Sequence, residues 1–352
     1  MKKLLDHIFI DGLSGMAHGL FATLIIGTII QQIGTFAGGT VGGLIYVIGK
    51  VAAALTGAGI GVGVARKFEA SQLVIVAAAT AGMVGAFASK ILAGAIVGEN
   101  GEMIFAGPGE PLGAFIAAYV AIEVGMLISG RTKIDILITP LVSIGAGSAV
   151  GLILGPPISG FMIWLGSIIN WGTEQQPLLM GIVVSVLMGM ILTLPISSAA
   201  LGIILNLSGL AAGAATIGCC CNMVGFAVAS FRENKIGGLL AQGIGTSMLQ
   251  VPNIVRKPQI WLPAILSSAI LGPVGTMILH MTSNATGSGM GTAGLVGQIM
   301  TWQTMIQTEP ANIVMIKILA IQIILPAVIT LLISEYMRKK KWIKMGDMKL
   351  DL

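Results

Sequence analysis

Glu309, in the run Thr308-Glu309-Pro310, is a carboxylate with long apolar sequence on both sides. A charge at the centre of a bilayer costs about 3 kcal/mol or more, so an acid in that setting is a functional candidate by default. Its oxygens can accept hydrogen bonds from the hydroxyls of a polyol. In a buried site it could instead carry a proton or act as a general base. The plain structural alternative is an acid that caps the next helix, with Pro310 in the first turn. His280 ends an apolar run four residues before Asn284 and offers a ligand hydrogen bond or a proton relay. Gln242, Gln250, Asn253, Asn284 and Gln298 are neutral amides of the kind that recognise uncharged ligands, and with Glu309 they surround two glycine-rich stretches. Each could equally bond helix to helix. Asn206 and Asn222 belong to the same polar set. Glu174 reads as a loop or helix-end residue. Glu123 and Lys50 read as structural charges that pair with each other or with helix ends.

Other chemistries find little support. Cys219, Cys220 and Cys221 are consecutive, so on a helix they point to different faces and cannot form one tetrahedral metal site. They also lack the spacing of a redox pair. No Walker A ending is present, and GSGMGTAG at 287–294 resembles a phosphate loop only in its glycines. The expectation is therefore no cofactor and no metal.

The elements that position these residues must lie in a membrane. From Gln175 to Phe231, and again from Pro258 to Thr308, the chain carries no Asp, Glu, Lys or Arg. Charged residues make up 9% of the sequence, against about 25% in soluble domains. The apolar runs are continuous rather than alternating, which excludes a lipid-facing β-barrel. Fifty glycines let helices approach closely and permit broken helices. The net charge of +5 sits at helix ends and in the tail, so it signals topology and not nucleic acid. Met1-Lys2-Lys3 followed by Asp6, His7 and Asp11 does not read as a cleavable signal peptide.

Basic residues face the cytoplasm. Lys2 and Lys3 put the N-terminus there, and Arg338-Lys339-Lys340-Lys341 with Lys344 and Lys349 put the C-terminus there, so the number of crossings is even. Arg66-Lys67, Arg131 with Lys133, Arg232 with Lys235, and Arg256-Lys257 mark cytoplasmic loops, while Glu99, Glu102 and Glu110 mark an outward one. The spans that fit are 13–33, 41–65, 71–97, 111–129, 134–154, 156–172, 177–205 (broken at Pro195), 209–231, 260–281 and 313–334. Residues 236–252 and 284–300 are too rich in glycine and polar groups to span, and read as re-entrant segments of the kind that build substrate sites. The expected fold is thus an all-α polytopic membrane protein of about ten transmembrane helices with two glycine-rich re-entrant hairpins. One domain covers 1–337 and a basic cytoplasmic tail covers 338–352.

The second half of the chain carries a resemblance. Lys257-Pro258-Gln259-Ile260-Trp261-Leu262-Pro263-Ala264-Ile265 resembles the segment that opens a late span in the enzyme IIC carriers of the sugar phosphotransferase system. Thr308-Glu309-Pro310 resembles the Thr-Glu-Pro of the glucose-type carriers, in which the Glu contacts sugar. The whole chain looks most like the EIIC branch that includes perfringolysin O regulator-type membrane proteins, with GSGMGTAGLVGQ at 287–298 similar to a hallmark of that group. Lys257 stands where the lactose-type pattern has Asn, and the Thr-Glu-Pro follows the second glycine-rich segment.

That resemblance implies a bacterial-type plasma membrane, a homodimer, and a sugar or polyol bound between the glycine-rich segments with Glu309 in contact and His280 beside it. No IIA or IIB domain is fused, so phosphorylation would come from a separate soluble IIB partner, and the chain would be a phosphotransferase only in that company. Two other readings stay open. One is an ion- or proton-coupled carrier of a small metabolite that uses Glu309 or His280. The other is a non-transporting sensor, although the short basic tail looks more like an anchor to anionic lipid.

Overall fold

The computed structural model describes residues 7–98, 101–105 and 107–350. Lys2, Lys3, Asp6 and Glu99 lie outside them. Among the described residues there is no strand, only two isolated β-bridges. Ten longer helices form the frame: α1 (Ile10–Ala37), α2 (Gly39–Ala54), α3 (Thr56–Lys67), α4 (Gln72–Ala86), α5 (Pro111–Ile128), α6 (Asp135–Thr173), α7 (Pro177–Thr193), α8 (Gly209–Ala229), α9 (Pro258–Ile278) and α10 (Ala311–Lys339). Six of them, α1, α5, α6, α8, α9 and α10, are long and apolar enough to cross a membrane, and α2 with α3 makes a pair bent by 53° that passes the same test together.

The chain divides into two compact units, Met1–Met162 and Ile163–Leu352. In the first, α3 packs against α1, α4 and α5. Small residues make these contacts, with Gly15 and Gly19 of α1 against Gly59 and Gly63 of α3. In hydrocarbon there is no hydrophobic drive between helices, so close van der Waals approach of this sort holds them together. His7 stacks on Phe68 with ring centroids 3.9 Å apart and bonds Glu123 at 3.1 Å. Glu123 thus pairs with the first described residue and not with Lys50, which is exposed.

In the second unit, α8 is the axis. Every residue from Ala212 to Ala227 is buried, and α7, α9 and α10 pack around it. A helix apolar on all sides belongs in such a place. Gly218 lets α7 close on α8, because a Cβ there would collide with the backbone of Ser185.

One expected pair of spans merges, and one expected break holds. The spans expected at 134–154 and 156–172 are one helix, α6, with Pro156 and Pro157 inside it. Staying helical loses only the two bonds the prolines cannot donate, whereas leaving the helix in hydrocarbon would strand many more groups. The break expected at Pro195 is present: α7 stops at Thr193, Leu194 is extended, and a short helix resumes at Ser198–Ile204. The residue before a proline avoids the α region, which places the stop at Leu194.

Both glycine-rich stretches are broken backbone. The first runs through a helix at Phe231–Leu240, π and 3-10 turns at Ala241–Gly245 and Ser247–Gln250, and a short helix at Val251–Arg256. The second has short pieces at Ala285–Ser288 and Ala293–Leu295 before a helix at Val296–Met305.

Gly218→Ala should destabilise the protein by about 1–3 kcal/mol through backbone overlap. Gly145→Ala on α6, where a Cβ meets nothing within 4 Å, should be neutral or mildly stabilising. Melting temperatures of the purified variants in one detergent compare the two.

Candidate functional site

The second unit holds most of the polar residues singled out above and sorts them into distinct clusters. Asn222 sits in the middle of α8 and is fully buried. Its Oδ1 accepts from Trp261 Nε1 at 2.8 Å and from Thr193 Oγ1 at 3.2 Å. Its Nδ2 donates to Gly218 O at 3.1 Å and to Ser268 Oγ at 3.4 Å. The Thr193 hydroxyl also meets Ser247 Oγ at 2.8 Å. One amide therefore ties α7, α8, α9 and the first glycine-rich stretch together.

The second glycine-rich stretch lies along α8 with its backbone covered. Gly287 O accepts from Thr216, Ser288 O from Cys219, and Gly289 O from Ser198. Irregular backbone at membrane depth requires this kind of cover. At Gly291 φ is +52°, and a Cβ would strike Cys219, so only glycine fits both demands. Asn284 caps the first short helix, its Oδ1 accepting from Gly287 N at 3.0 Å. Gln298 donates to Cys220 Sγ at 3.3 Å, while its Oε1 is buried without a partner. The cysteines are packing residues that also serve this segment.

Gln242, Gln250 and Asn253 do come together, in a ladder. Gln250 donates to Gln242 Oε1 at 2.8 Å, and Asn253 donates to Gln250 Oε1 at 2.9 Å. The ladder holds the C-terminal segment, since Gln250 also donates to Met348 O at 3.0 Å and Asn253 to Lys349 O at 2.9 Å. Asn234 bonds both Met348 O and Leu350 N. Glu233 accepts from Met348 N and pairs with Arg338 at 2.9 Å, and Lys257 pairs with Asp347. Ile343 and Met348 are buried with Phe226, Ile254 and Ile260. The tail is thus folded onto the first glycine-rich stretch, with Lys339, Lys340, Lys341, Lys344 and Lys349 exposed. Burial alone would raise the Asp347 carboxyl, but hydrogen bonds from Lys257 and the Lys344 N–H, with the charges of Lys257 and Arg338, hold it below the ordinary carboxylate value.

Glu309 stands apart from these amides and pairs with Lys317. The ammonium lies 2.7 Å from each carboxylate oxygen and donates a further bond, at 2.8 Å, to Leu279 O. That carbonyl precedes His280, which is exposed with φ +48°. The structure so brings Glu309 and the backbone beside His280 to one polar corner. Glu174 is exposed beyond the end of α6.

The chain fits the family model described as "Phosphotransferase system, EIIC" over residues 10–350. It belongs to that family. As an EIIC protein it is a multi-pass membrane protein and a transport component of phosphotransferase type, which implies a transported substrate. No curated protein matches the chain.

Sequence reasoning passed over Lys317, although it is the one charged residue between Glu309 and Glu335. That isolation was the available signal. It also passed over Thr193, Ser247 and Ser268, because hydroxyls are too common in apolar helices to stand out.

Two outcomes follow from this geometry. Asn222→Leu would strip Trp261 and Thr193 of their acceptor and should cost about 1–3 kcal/mol, read as a lower melting temperature. For the tail, the depressed Asp347 carboxyl means its contacts contribute fully above the ordinary value of 3.8 and are lost as pH falls through the lower, docked value. Hydrogen exchange at 343–350 should stay slow from pH 7 to about pH 4 after correction for intrinsic rates, and accelerate only below that. Loss of protection nearer neutrality would contradict it.

Proposed function

We propose that this EIIC protein is the membrane carrier for a sugar or polyol, with Glu309 in contact with substrate. What carries the reading is the Glu309–Lys317 pair. Both carboxylate oxygens face one ammonium, so the group is held in place to accept hydrogen bonds from hydroxyls. A proton carrier would have to neutralise that carboxylate and leave a half-buried ammonium with only Leu279 O. The pair therefore favours a neutral, hydroxyl-rich substrate over proton coupling at Glu309.

In this reading α2 and α3 form one bent span and α6 crosses once, its 39 residues extending about 58 Å against a hydrocarbon core of about 30 Å, so that its excess length lies outside hydrocarbon. Residues 236–252 and 284–300 are re-entrant hairpins. Residues 1–337 make the membrane domain and 338–352 the cytoplasmic tail of a chain in a bacterial-type plasma membrane, its N-terminus also cytoplasmic. Glu309, at the start of α10, then opens to the outside, where substrate arrives. His280 lines the same corner. Gln242, Gln250, Asn253, Asn284 and Gln298 support the path, with Gln298 Oε1 the free acceptor among them. A separate IIB protein would phosphorylate the sugar at the cytoplasmic face, and two copies of the chain would form a dimer. Within the family we place the chain in the branch that includes the perfringolysin O regulator-type proteins.

A thermal-stability screen of the detergent-purified protein against sugars, polyols and small acids tests this. A sugar or polyol should raise the melting temperature, by about 2.7 kcal/mol of linkage at one hundred times its Kd. Glu309→Gln should abolish the shift. A response to organic acids alone, or to no sugar, would move the assignment to a coupled carrier or a sensor.

A further inference from the structure

The buried face of α10 carries polar groups that the helix does not use. Gln322, Thr330, Ser334 and Arg338 stand at i, i+8, i+12 and i+16, so they share one stripe, and each has a buried side-chain atom without a hydrogen-bond partner. Those atoms are Gln322 Oε1, Thr330 Oγ1, Ser334 Oγ and Arg338 Nε. Gln298 Oε1 joins the upper end, because Gln322 donates to Thr301 one helical turn after Gln298. Exposure is 0% at Gln322, 1% at Thr330, 0% at Ser334 and 8% at Gln298.

Ser143, Ser148, Ser267 and Ser283 also bury a hydroxyl without a partner, but singly and not in a row on one face of a helix, and other buried hydroxyls turn back on their own helix. Thr28, Thr193, Thr216 and Ser268 each close onto the carbonyl four residues back. Thr330 and Ser334 do not, and the Thr330 hydroxyl occupies the space that a side chain at Gly225 of α8 would take. In hydrocarbon each stranded polar group costs several kcal/mol. A stripe of them along about 24 Å of helix calls for partners. Gln322 also lies in a π-helical turn, Leu319–Ile324, and such turns gather at functional positions.

We propose that the seam between α8 and α10 is a polar track that binds a file of neutral hydroxylic groups, running from Gln298 and Gln322 to the Arg338–Glu233 pair. The carboxamide oxygens accept O–H, and the hydroxyls of Thr330 and Ser334 both accept and donate. The track holds no carboxylate before Glu233 to balance a cation's charge, and its upper end of acceptor oxygens repels an anion. Water and the hydroxyls of a polyol present the same chemistry.

Radiolytic hydroxyl labelling of the intact protein in lipid nanodiscs, read by mass spectrometry, tests the track without any substrate. Labelling in membrane interiors follows bound water. Met337, beside Ser334, should label severalfold faster than the closely matched Met16 and Met188, and Cys220, which touches Gln298, severalfold faster than the equally buried Cys221. Rates no higher than those controls overturn the proposal. The double variant Thr330→Val with Ser334→Ala should slow labelling at Met337 severalfold and lower the melting temperature. A rise in melting temperature would mean the hydroxyls were dry, and would also overturn it. Protection of Cys220 by an added polyol would show that substrate hydroxyls share the track, and labelling unchanged by polyol would assign it to water alone. Because the wild-type measurement needs no ligand, it stands or falls separately from the sugar reading.

Discussion

Hydrocarbon offers no hydrogen bonds, and the second unit is organised around the helix that feels this most. From Ala212 to Ala227, α8 is buried on every side, so each polar group on it must be met by protein. Asn222 answers by drawing Trp261, Thr193 and Ser268 to it. Thr216 and Cys219 answer by covering the carbonyls of the glycine-rich segment. The polar side chains of α8 thus specify which neighbours stand where, while the small ones, Gly218 above all, set how close they come.

The last helix is fixed at both ends by charge. Lys317 holds Glu309 near its start, and Arg338 holds Glu233 at its finish, where the Glu233 side chain is 2% exposed. Ion pairs taken out of water are weak evidence of stability, since desolvation consumes most of the attraction. Their value lies in position: breaking one strands the other charge. A helix pinned in this way, with Ile316, Ile324, Val328 and Leu332 exposed on its outer side, keeps one face toward lipid and one toward α8.

Much of the frame was legible because hydrocarbon imposes length and composition. The charge-free runs gave α7, α8 and α9, and Pro195 gave the break after Thr193. The merging of 134–154 with 156–172 was not legible, because a proline pair signals a stop in water but only two missing bonds in a membrane helix. For the site, residue type identified Asn222, Gln250 and Glu309 as polar groups with partners to find. It could not say which partners. Gln242, Gln250 and Asn253 grip the backbone of residues 348 and 349, and backbone carbonyls have no sequence signature. The tail showed its lysines plainly, yet its hold comes from Ile343, Asp347 and Met348, scattered between them.

Hydrogen-bonding capacity already in use also limits where a hydroxyl-rich ligand can be recognised. Asn284 is occupied by its cap, the ladder amides by the tail, and the glycine-rich carbonyls at 287 to 289 by Thr216, Cys219 and Ser198. Asn222 has both ends of its amide engaged. What remains at α10, besides Ser267 and Ser283 elsewhere in the unit, is Glu309, with Lys317 behind it, and the free atoms of Gln298, Gln322, Thr330, Ser334 and Arg338. Both places meet α10. A carrier that moved substrate past the glycine-rich backbone itself would first have to break the bonds that cover it, at about 1–3 kcal/mol for each group left bare. A route along α10 breaks none of them, and the lower cost favours that route.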